Sequence, residues 1–361
     1  MAFEVSIQVL VFVTLLTIAA YIGMGWFSRK SHFQVNGQTV LITGASQGLG
    51  EAIGYLLASK GANVIIVARD VSKLQKALEF IRSGAKSPSQ RFEYLSADVT
   101  SEDENNKLLA KATEWNNGNP PDIIWACAGV SHPGLFMDIS TKTLRDQMDI
   151  NYWAATYLLH GALKIWLGPL LDGSSSATTT SRSPSSPAGK KKPRHFILTS
   201  SVLAYCGIAG YSPYSPAKAA LRSLCDTLRQ ELQLYTGAYS SHPDFRPVDI
   251  RMTTPANILS PGFENENKVK HPVTKMLEEG DPAQTPKVVA QALVEGLENG
   301  EYMPTTTLLS WAMKAGSLNG SPRMLGDVLL SGLAGWIYYF VGPDMEDKVR
   351  KFGQQRGVRV S

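Results

Sequence analysis

A serine, a tyrosine and a lysine stand at a spacing that is typical of proton transfer to a carbonyl oxygen. Ser201 precedes Tyr214 by thirteen residues, and Lys218 follows Tyr214 by four. A free phenol has a pKa of about 10 and gives up its proton reluctantly at neutral pH. A lysine four residues later lies on the same face of a helix, where its charge favours tyrosinate. We therefore expect Tyr214 to act as a general acid, Lys218 to lower its pKa, and Ser201 to hydrogen-bond the substrate carbonyl.

A glycine-rich loop far upstream is typical of a dinucleotide-binding site. Gly44, Gly48 and Gly50 lie between an apolar run at residues 39–43 and a helical pattern at residues 51–59. Glycine allows a tight turn and a close approach of the pyrophosphate, and the helix N-terminus that follows offers free N–H groups to the phosphates. A glycine loop alone is a weak signal, but its position between a strand and a helix strengthens it. The loop residues expected to contact a cofactor are Gly44, Ser46, Gln47, Gly48, Leu49 and Gly50.

The end of the next predicted strand indicates which dinucleotide is bound. A site for NAD carries a carboxylate about 20 residues after the glycine loop, where it binds the ribose 2′-hydroxyl. Here Ala68 and Arg69 occupy that place, and Lys73 follows one helical turn later. A guanidinium suits a 2′-phosphate in charge and in bidentate geometry, so the cofactor is predicted to be NADPH, with Arg69 and Lys73 as contacts. The alternative is that Arg69 pairs with Asp70 or with solvent.

The elements that must position these residues alternate between strands and helices. Short apolar runs predict strands at residues 39–43, 63–68, 92–99, 122–128, 195–200 and 248–253, and helical spacing is found at residues 51–59 and 71–81. Such alternation, with strands that are apolar on both faces, predicts an α/β fold with a doubly wound parallel sheet. Asp98 and Val99, at the end of the third predicted strand, are further cofactor-binding candidates, Asp98 as a contact to the adenine.

Composition restricts the classes of function. The chain has 361 residues, of which 43% are hydrophobic, and this is enough for one large α/β domain with additions. A formal net charge of +4 is too small to indicate a nucleic-acid partner. The cysteines Cys127, Cys206 and Cys225 form no C-x-x-C pair, so they indicate neither a disulfide framework nor a metal site. They suit a reducing compartment.

Apolar segments at both ends of the chain indicate a membrane. Residues 5–27 are uncharged and are long enough, at about 1.5 Å per residue, to cross a bilayer core of about 30 Å. A cleaved signal peptide is the alternative, but Glu4 precedes the run and Arg29 and Lys30 follow it, so a retained anchor is favoured. By the positive-inside rule the rest of the chain is then cytosolic. Residues 328–342 are short for a span and are interpreted as membrane-associated, with a buried helix as the alternative.

These motifs together resemble the short-chain dehydrogenase/reductases, and the resemblance covers about residues 36–305. Residues 43–50 resemble the Thr-Gly-x-x-x-Gly-x-Gly motif of that family. The residues that match the family's catalytic triad are Ser201, Tyr214 and Lys218. Tyr214 and Lys218 are also expected to contact the cofactor, Lys218 at the nicotinamide ribose. The resemblance implies a Rossmann-like fold and an oxidoreductase that uses a nicotinamide cofactor.

The same resemblance adds two residues and contains one departure. Asn151 matches the helical asparagine that relays protons through water in the family. The family's Asn-Asn-Ala-Gly is replaced by Ala-Cys-Ala-Gly at residues 126–129. That motif mainly braces the sheet beside the cofactor, so the resemblance implies that activity survives the replacement and that Gly129 lies against the cofactor.

A narrower resemblance is to the 3-ketodihydrosphingosine (3-ketosphinganine) reductases within that family. Residues 260–268 resemble their Pro-Gly-Phe-x-x-Glu-Asn segment, in which Pro261 and Gly262 are expected to contact the cofactor. The Ala-Arg-x-x-x-Lys run at residues 68–73 and the apolar ends of the chain are also similar. The resemblance implies NADPH-dependent reduction of a long-chain keto-lipid, 3-ketosphinganine, to sphinganine at the cytosolic face of the endoplasmic reticulum membrane.

The domain organisation expected on this basis has three parts. They are an anchor at residues 1–30, a reductase domain at 36–305 and a membrane-associated region at 306–361. The serine- and threonine-rich residues 172–194 are predicted to be a disordered insert. Two alternatives for the function stay open: a membrane reductase or dehydrogenase of another lipid carbonyl, such as a retinoid, steroid or acyl ketone, and a non-catalytic NADP-binding scaffold. The oligomeric state is also open, a homo-oligomer included.

Overall fold

Parallel strands form one sheet at the centre of the structure, a computed structural model that describes residues 32–171, 192–317, 324–328, 330–332, 343–344 and 347–352. The order of the strands in the sheet is β3-β2-β1-β4-β5-β6. The strands are β1 (Thr39–Thr43), β2 (Asn63–Ala68), β3 (Phe92–Ser96), β4 (Ile123–Ala126), β5 (Arg194–Thr199) and β6 (Val248–Thr253). The predicted α/β fold with a doubly wound parallel sheet is confirmed, and the strand order is that of dinucleotide-binding folds.

Helices connect the strands and cover both faces of the sheet. In chain order they are α1 (Gly48–Ser59), α2 (Val71–Ser83), α3 (Glu102–Trp115), α4 (Thr141–Met148), α5 (Ala154–Leu171), α6 (Ser215–Tyr239), α7 (Pro261–Val269), α8 (Pro272–Glu278), α9 (Pro286–Glu298) and α10 (Leu308–Ser317). Asp70, Ser101 and Thr285 each accept a hydrogen bond from a backbone N–H in the first turn of the helix that follows. These caps satisfy N–H groups that have no partner inside a helix and so fix where the helices begin.

The two faces of the sheet are apolar because neighbouring residues of a strand point in opposite directions. Leu41 and Ile65 pack on the face covered by α3, α5 and α6, whereas Val40 and Ile42 pack on the face covered by α1, α2 and α9. All four side chains are fully buried. This packing holds the carboxyl ends of the strands, and the loops that follow them, along one edge of the sheet.

Several boundaries differ from the predicted ones: β4 is Ile123–Ala126 where residues 122–128 were predicted, β5 is shifted by one residue, and α2 extends to Ser83. β3 ends at Ser96, because the N–H of Asp98 donates to Oε2 of Glu104 and Oδ1 of Asp98 accepts from the N–H of Thr100. The chain therefore leaves the strand ladder before residue 99. The first helix begins at Gly48, three residues earlier than predicted, because the glycine loop itself forms its first turn.

Three predicted segments fall outside the described residues in whole or in part. They are the predicted anchor at residues 5–27, most of the predicted insert at residues 172–194, and most of the apolar segment at residues 328–342. In the part of the chain that the structure describes, no helix combines the length and the apolar character needed to cross a bilayer.

Candidate active site

A cavity of about 800 Å³ lies at the carboxyl edge of the sheet. Its wall includes the loops after β1 and β4, the strands at which the chain order in the sheet reverses. Ligands of open α/β sheets bind at such a point. The predicted site residues that line the cavity are Gly44, Ser46, Gln47, Gly48, Leu49, Gly50, Arg69, Lys73, Asp98, Val99, Gly129, Ser201, Tyr214, Lys218 and Gly262. Two predicted site residues, Pro261 and Asn151, do not line it.

The glycine loop lies against the end of β4, and two of its positions accept only glycine. Gly44 has a φ of 67°, and a Cβ atom there would lie 2.7 Å from Cα of Ala128 and 2.8 Å from its N. A Cβ atom on Gly50 would lie 2.5 Å from the carbonyl oxygen of Gly44. These close approaches bring bare backbone and the N-terminus of α1 to the cavity, as a pyrophosphate requires. The residues present therefore fit a dinucleotide.

Hydrogen bonds join the end of β1 to the end of β4 at residues 126–129, where the sequence departs from the family's Asn-Asn-Ala-Gly motif. The N–H groups of Cys127 and Ala128 both donate to Oγ1 of Thr43, each at 3.2 Å. The sheet is thus braced here without the first two asparagines of the family motif. Burial raises the pKa of the Cys127 thiol to about 11, although a hydrogen bond with Thr199 and the charge of Lys218 oppose this. The thiol stays protonated at neutral pH and is a poor nucleophile.

Basic residues border the cavity where β2 ends. Arg69 is exposed there, and Lys73 and Asp98 line the same region. The carboxylate of Asp70 accepts from the N–H of Lys73 at 3.1 Å and caps α2; within the described ranges it forms no ion pair with Arg69. Burial tends to raise the pKa of Asp98, but hydrogen bonds from Thr100 and the charge of Arg69 hold it below its usual value. The guanidinium is therefore available at the cavity.

β5 and α6 bring the serine, the tyrosine and the lysine to one wall of the cavity. Ser201 follows β5, and its Oγ accepts from the N–H of Leu203 at 3.2 Å. Tyr214 directly precedes α6, and Lys218 lies in the first turn of that helix. Nζ of Lys218 donates to the carbonyl oxygen of Thr199 at 3.0 Å and lies 5.4 Å from the centre of the Tyr214 ring. The three residues that the sequence singled out therefore meet in space.

Burial shifts the pKa values of both the tyrosine and the lysine. Burial raises the pKa of Tyr214, the charge of Glu266 raises it further, and a hydrogen bond with Ser201 opposes both. Burial also lowers the pKa of Lys218 to about 8, because a charged ammonium is disfavoured away from water. The pKa of Tyr214 is thus raised where the sequence predicted that it is lowered, and the charge of Lys218 is not among the causes of this shift. Tyr214 is therefore protonated at neutral pH and has a proton to donate, but burial makes its phenol a weaker acid than free tyrosine.

A π-helix at Asp149–Trp153 places Asn151 behind the cavity wall. Oδ1 of Asn151 accepts from the N–H of Val130 at 3.2 Å, and its Nδ2 donates to the carbonyl oxygen of Val130 at 2.8 Å. A Cβ atom on Gly129 would lie 2.9 Å from Oδ1 of Asn151 and 3.3 Å from Nζ of Lys218. The missing side chain of Gly129 therefore lets the amide and the ammonium approach the same point. The resemblance identified Asn151 but gave no sign of the π-helix, a feature that is frequent at functional sites.

Sequence reasoning missed a charged network on the cavity side of α7. The hydroxyl of Tyr211 hydrogen-bonds Oε1 of Glu278 at 2.6 Å and also Oε1 of Glu266. Nζ of Lys270 lies 3.0 Å from Oε1 of Glu266 and 2.7 Å from Oε2 of Glu278. The centres of the Tyr211 and Tyr214 rings are 6.1 Å apart. The one available signal was Glu266, which lies in the Pro-Gly-Phe-x-x-Glu-Asn segment.

Known proteins resemble this chain in sequence over most of its length. The sequence profile of the family described as short chain dehydrogenase matches residues 38–237. The 3-ketodihydrosphingosine reductase ksrA of Aspergillus fumigatus is 45% identical over 340 residues, which cover 92% of this chain and 89% of that protein. The 3-ketodihydrosphingosine reductase gsl-3 of Neurospora crassa is 40% identical over 346 residues, which cover 94% of this chain and 89% of that protein.

A solved structure shares the fold. A short chain dehydrogenase/reductase from Burkholderia phymatum, solved in complex with NAD, aligns with a TM-score of 0.59 over 76% of this chain and 90% of that chain. The two sequences are 17% identical, so this likeness concerns the fold alone.

Proposed function

This chain belongs to the short chain dehydrogenase family, and from that premise we propose that it is an NADPH-dependent reductase of 3-ketodihydrosphingosine. The observation that carries the proposal is the identity of 45% and 40% to two reductases of that name, over more than nine-tenths of this chain. The cavity that brings Ser201, Tyr214 and Lys218 together supports it. The substrate is a long-chain ketone that carries an amino group on the carbon beside the carbonyl, and the product is the corresponding alcohol, sphinganine.

The side chains on the cavity wall supply the proton chemistry of this reduction. A bound nicotinamide dinucleotide supplies the hydride that adds to the carbonyl carbon. Tyr214 donates its proton to the carbonyl oxygen, and the hydroxyl of Ser201 hydrogen-bonds the same oxygen, so the charge that develops there is stabilised. The phenol of Tyr214 is protonated before the transfer, and the hydrogen bond with Ser201 lowers its pKa against the effect of burial. Lys218 and Asn151, which approach each other at Gly129, return a proton from solvent to Tyr214.

The direct test is turnover by the purified full-length protein. NADPH and 3-ketodihydrosphingosine are added together, NADPH consumption is followed by absorbance, and the alcohol is identified by mass spectrometry. A panel with a retinoid, a steroid and a simple acyl ketone is run in parallel. Preferential reduction of a panel member would replace the proposed substrate, and absence of turnover with every ketone would favour the non-catalytic scaffold.

The choice of NADPH is attributed to Arg69, with Lys73 beside it. We expect Arg69→Ala to raise the KM for NADPH about 10- to 150-fold, the range for a lost charge-assisted contact. The KM for NADH should change little, because NADH has no 2′-phosphate for the guanidinium to bind. Steady-state kinetics with each cofactor at saturating ketone measure both values. Arg82→Ala, which removes an exposed arginine from the helix that follows Arg69, is the control, and an equal rise for both cofactors would show that Arg69 is structural.

The proposal includes attachment to the endoplasmic reticulum membrane with the reductase domain in the cytosol. It is supported by the uncharged residues 5–27 with Arg29 and Lys30 shortly after them. Leu308 and Leu309 of α10 are also exposed, and Leu309 lines the cavity. An apolar rim beside the substrate cavity suits a ketone that is dissolved in lipid.

Sealed microsomes that carry the protein should therefore reduce the ketone at full rate without detergent. NADPH is charged and does not cross the bilayer, so added NADPH reaches a cytosolic site but not a lumenal one. The rates before and after detergent are compared, and a lumenal marker enzyme reports that the vesicles are sealed. Activity that becomes measurable only after detergent would place the site in the lumen.

A further inference from the structure

Two carboxylates and one ammonium form the charged network beside Tyr214. Glu266 and Glu278 line the cavity, and 13% and 14% of their side chains are exposed, whereas the side chain of Lys270 is fully buried. Lys270 pairs with both carboxylates but balances the charge of one. The network therefore carries one net negative charge at the cavity wall.

The two carboxylates differ in how their hydrogen bonds and ion pairs are distributed over their oxygens. Oε1 of Glu278 bonds Tyr211, and Oε2 bonds Lys270 at 2.7 Å. In Glu266 both of these partners are at Oε1, and Oε2 has no hydrogen bond to any residue that the structure describes. Burial and the charge of Glu266 raise the pKa of Tyr211, so its hydroxyl remains a donor. Oε2 of Glu266 is thus the acceptor that the network leaves to a ligand.

This acceptor lies beside the group that is proposed to protonate the ketone. The Tyr211 ring is 6.1 Å from the Tyr214 ring, centre to centre, and the charge of Glu266 acts on the Tyr214 phenol strongly enough to raise its pKa. In an α-amino ketone the nitrogen is bonded to the carbon beside the carbonyl. A ketone whose oxygen is held by Tyr214 and Ser201 therefore carries its amine close to the reacting centre, where the charge of Glu266 is felt.

We propose that Glu266 is a specificity residue that binds the protonated amine of an α-amino ketone, while Glu278, Tyr211 and Lys270 hold its carboxylate toward the cavity. The identity of the ketone rests on the proposed function. An ammonium gives Glu266 the positive partner that the network lacks, and opposite charges attract strongly where water is scarce. A ketone without the amine leaves the carboxylate uncompensated, so the site selects against it.

The test compares two long-chain ketones, 3-ketodihydrosphingosine and its analogue without the amino group, on the full chain and on Glu266→Gln. Glutamine keeps the shape of the side chain and an oxygen that accepts from Tyr211 and Lys270, but it has no charge. We expect kcat/KM for the amino ketone to fall about 10- to 100-fold in this variant, and kcat/KM for the analogue to stay the same or rise. The affinity for NADPH should be unchanged.

The controls separate this proposal from the proposed function. Glu264→Gln removes a charge from the exposed side of the same helix and should leave both ketones unaffected. If the wild-type protein reduces no amino ketone, the proposed function itself fails. If it reduces the amino ketone but Glu266→Gln loses nothing, or loses the same factor on both ketones, the role of Glu266 is refuted.

A measurement on the wild-type protein covers the case in which Glu266→Gln does not fold. The wild-type kcat/KM for the amino ketone should exceed that for the analogue at least about tenfold. Equal values for the two ketones would overturn the proposal without any variant.

Discussion

Tyr214→Phe should lower kcat by about 100- to 10,000-fold, the range for loss of a general acid, and leave the affinity for NADPH nearly unchanged. The phenol acts on the carbonyl oxygen in the transition state, whereas the ring, which phenylalanine keeps, fills the same space beside Lys218. Steady-state turnover of 3-ketodihydrosphingosine gives kcat, and fluorescence titration gives the dissociation constant of NADPH. A loss confined to kcat is the signature of an interaction made only in the transition state.

The matched control is Tyr205→Phe. The hydroxyl of Tyr205 lies 3.2 Å from Sδ of Met303, and this residue does not line the cavity. Removal of the Tyr205 hydroxyl should lower the free energy of unfolding slightly and leave kcat near the wild-type value. Near-normal turnover in Tyr214→Phe would show that the proton comes from another group.

The second large effect is expected from one methyl group in the glycine loop. Gly44→Ala introduces a Cβ atom 2.7 Å from Cα of Ala128 at a φ of 67°. The left-handed backbone costs a non-glycine residue about 1–2 kcal/mol, and overpacking against backbone adds about 1–3 kcal/mol. To relieve the contact, the end of β1 must move away from the end of β4, which widens the pyrophosphate cradle. We expect a lower free energy of unfolding and a dissociation constant for NADPH raised at least about tenfold.

Gly37→Ala separates the effect of the left-handed backbone from the effect of the contact with Ala128. Gly37 also has a positive φ, 75°, but a Cβ atom there would meet nothing within 4 Å, and the residue precedes β1 at the edge away from the cavity. This variant should lose the backbone contribution alone and bind NADPH normally. Thermal melts and NADPH titrations of both variants are compared; equal losses of affinity would mean that the contact with Ala128 is not what shapes the cradle.

Local patterns were sufficient to predict most of the fold and most of the cavity wall. The central strands β1, β2, β4 and β5 are buried over most of their length, so each contains a short apolar run. The glycine loop is recognisable because its glycine spacing allows the one backbone path that the turn requires. The triad was predictable because β5 and the first turn of α6 place Ser201, Tyr214 and Lys218 by sequence distance alone. The error at β3 arose because a carboxylate on α3, Glu104, takes the N–H of Asp98, a contact between elements that a single-strand pattern does not contain.

The remaining features depend on packing between distant segments. The direction of the Tyr214 pKa follows from burial and from Glu266, a residue that belongs to a different helix, so the Tyr-x-x-x-Lys spacing alone led to the opposite expectation. The network of Tyr211, Lys270 and Glu278 joins a loop and two helices at Glu266. Contacts between segments that are distant in the sequence leave no periodic pattern, so this network could not be predicted.

The start of β5 lies at the edge of the sheet opposite the cavity, and hydrogen bonds hold it to neighbouring segments. Arg194 donates to the carbonyl oxygen of Trp166 at 2.9 Å, and Arg246 donates to that of Lys192 at 3.0 Å. The entropy of closing a loop grows only logarithmically with its length, so the number of residues between Leu171 and Lys192 is uncoupled from the geometry of catalysis. We therefore expect a reporter domain inserted between Leu171 and Lys192 to leave the geometry of the reductase site unchanged.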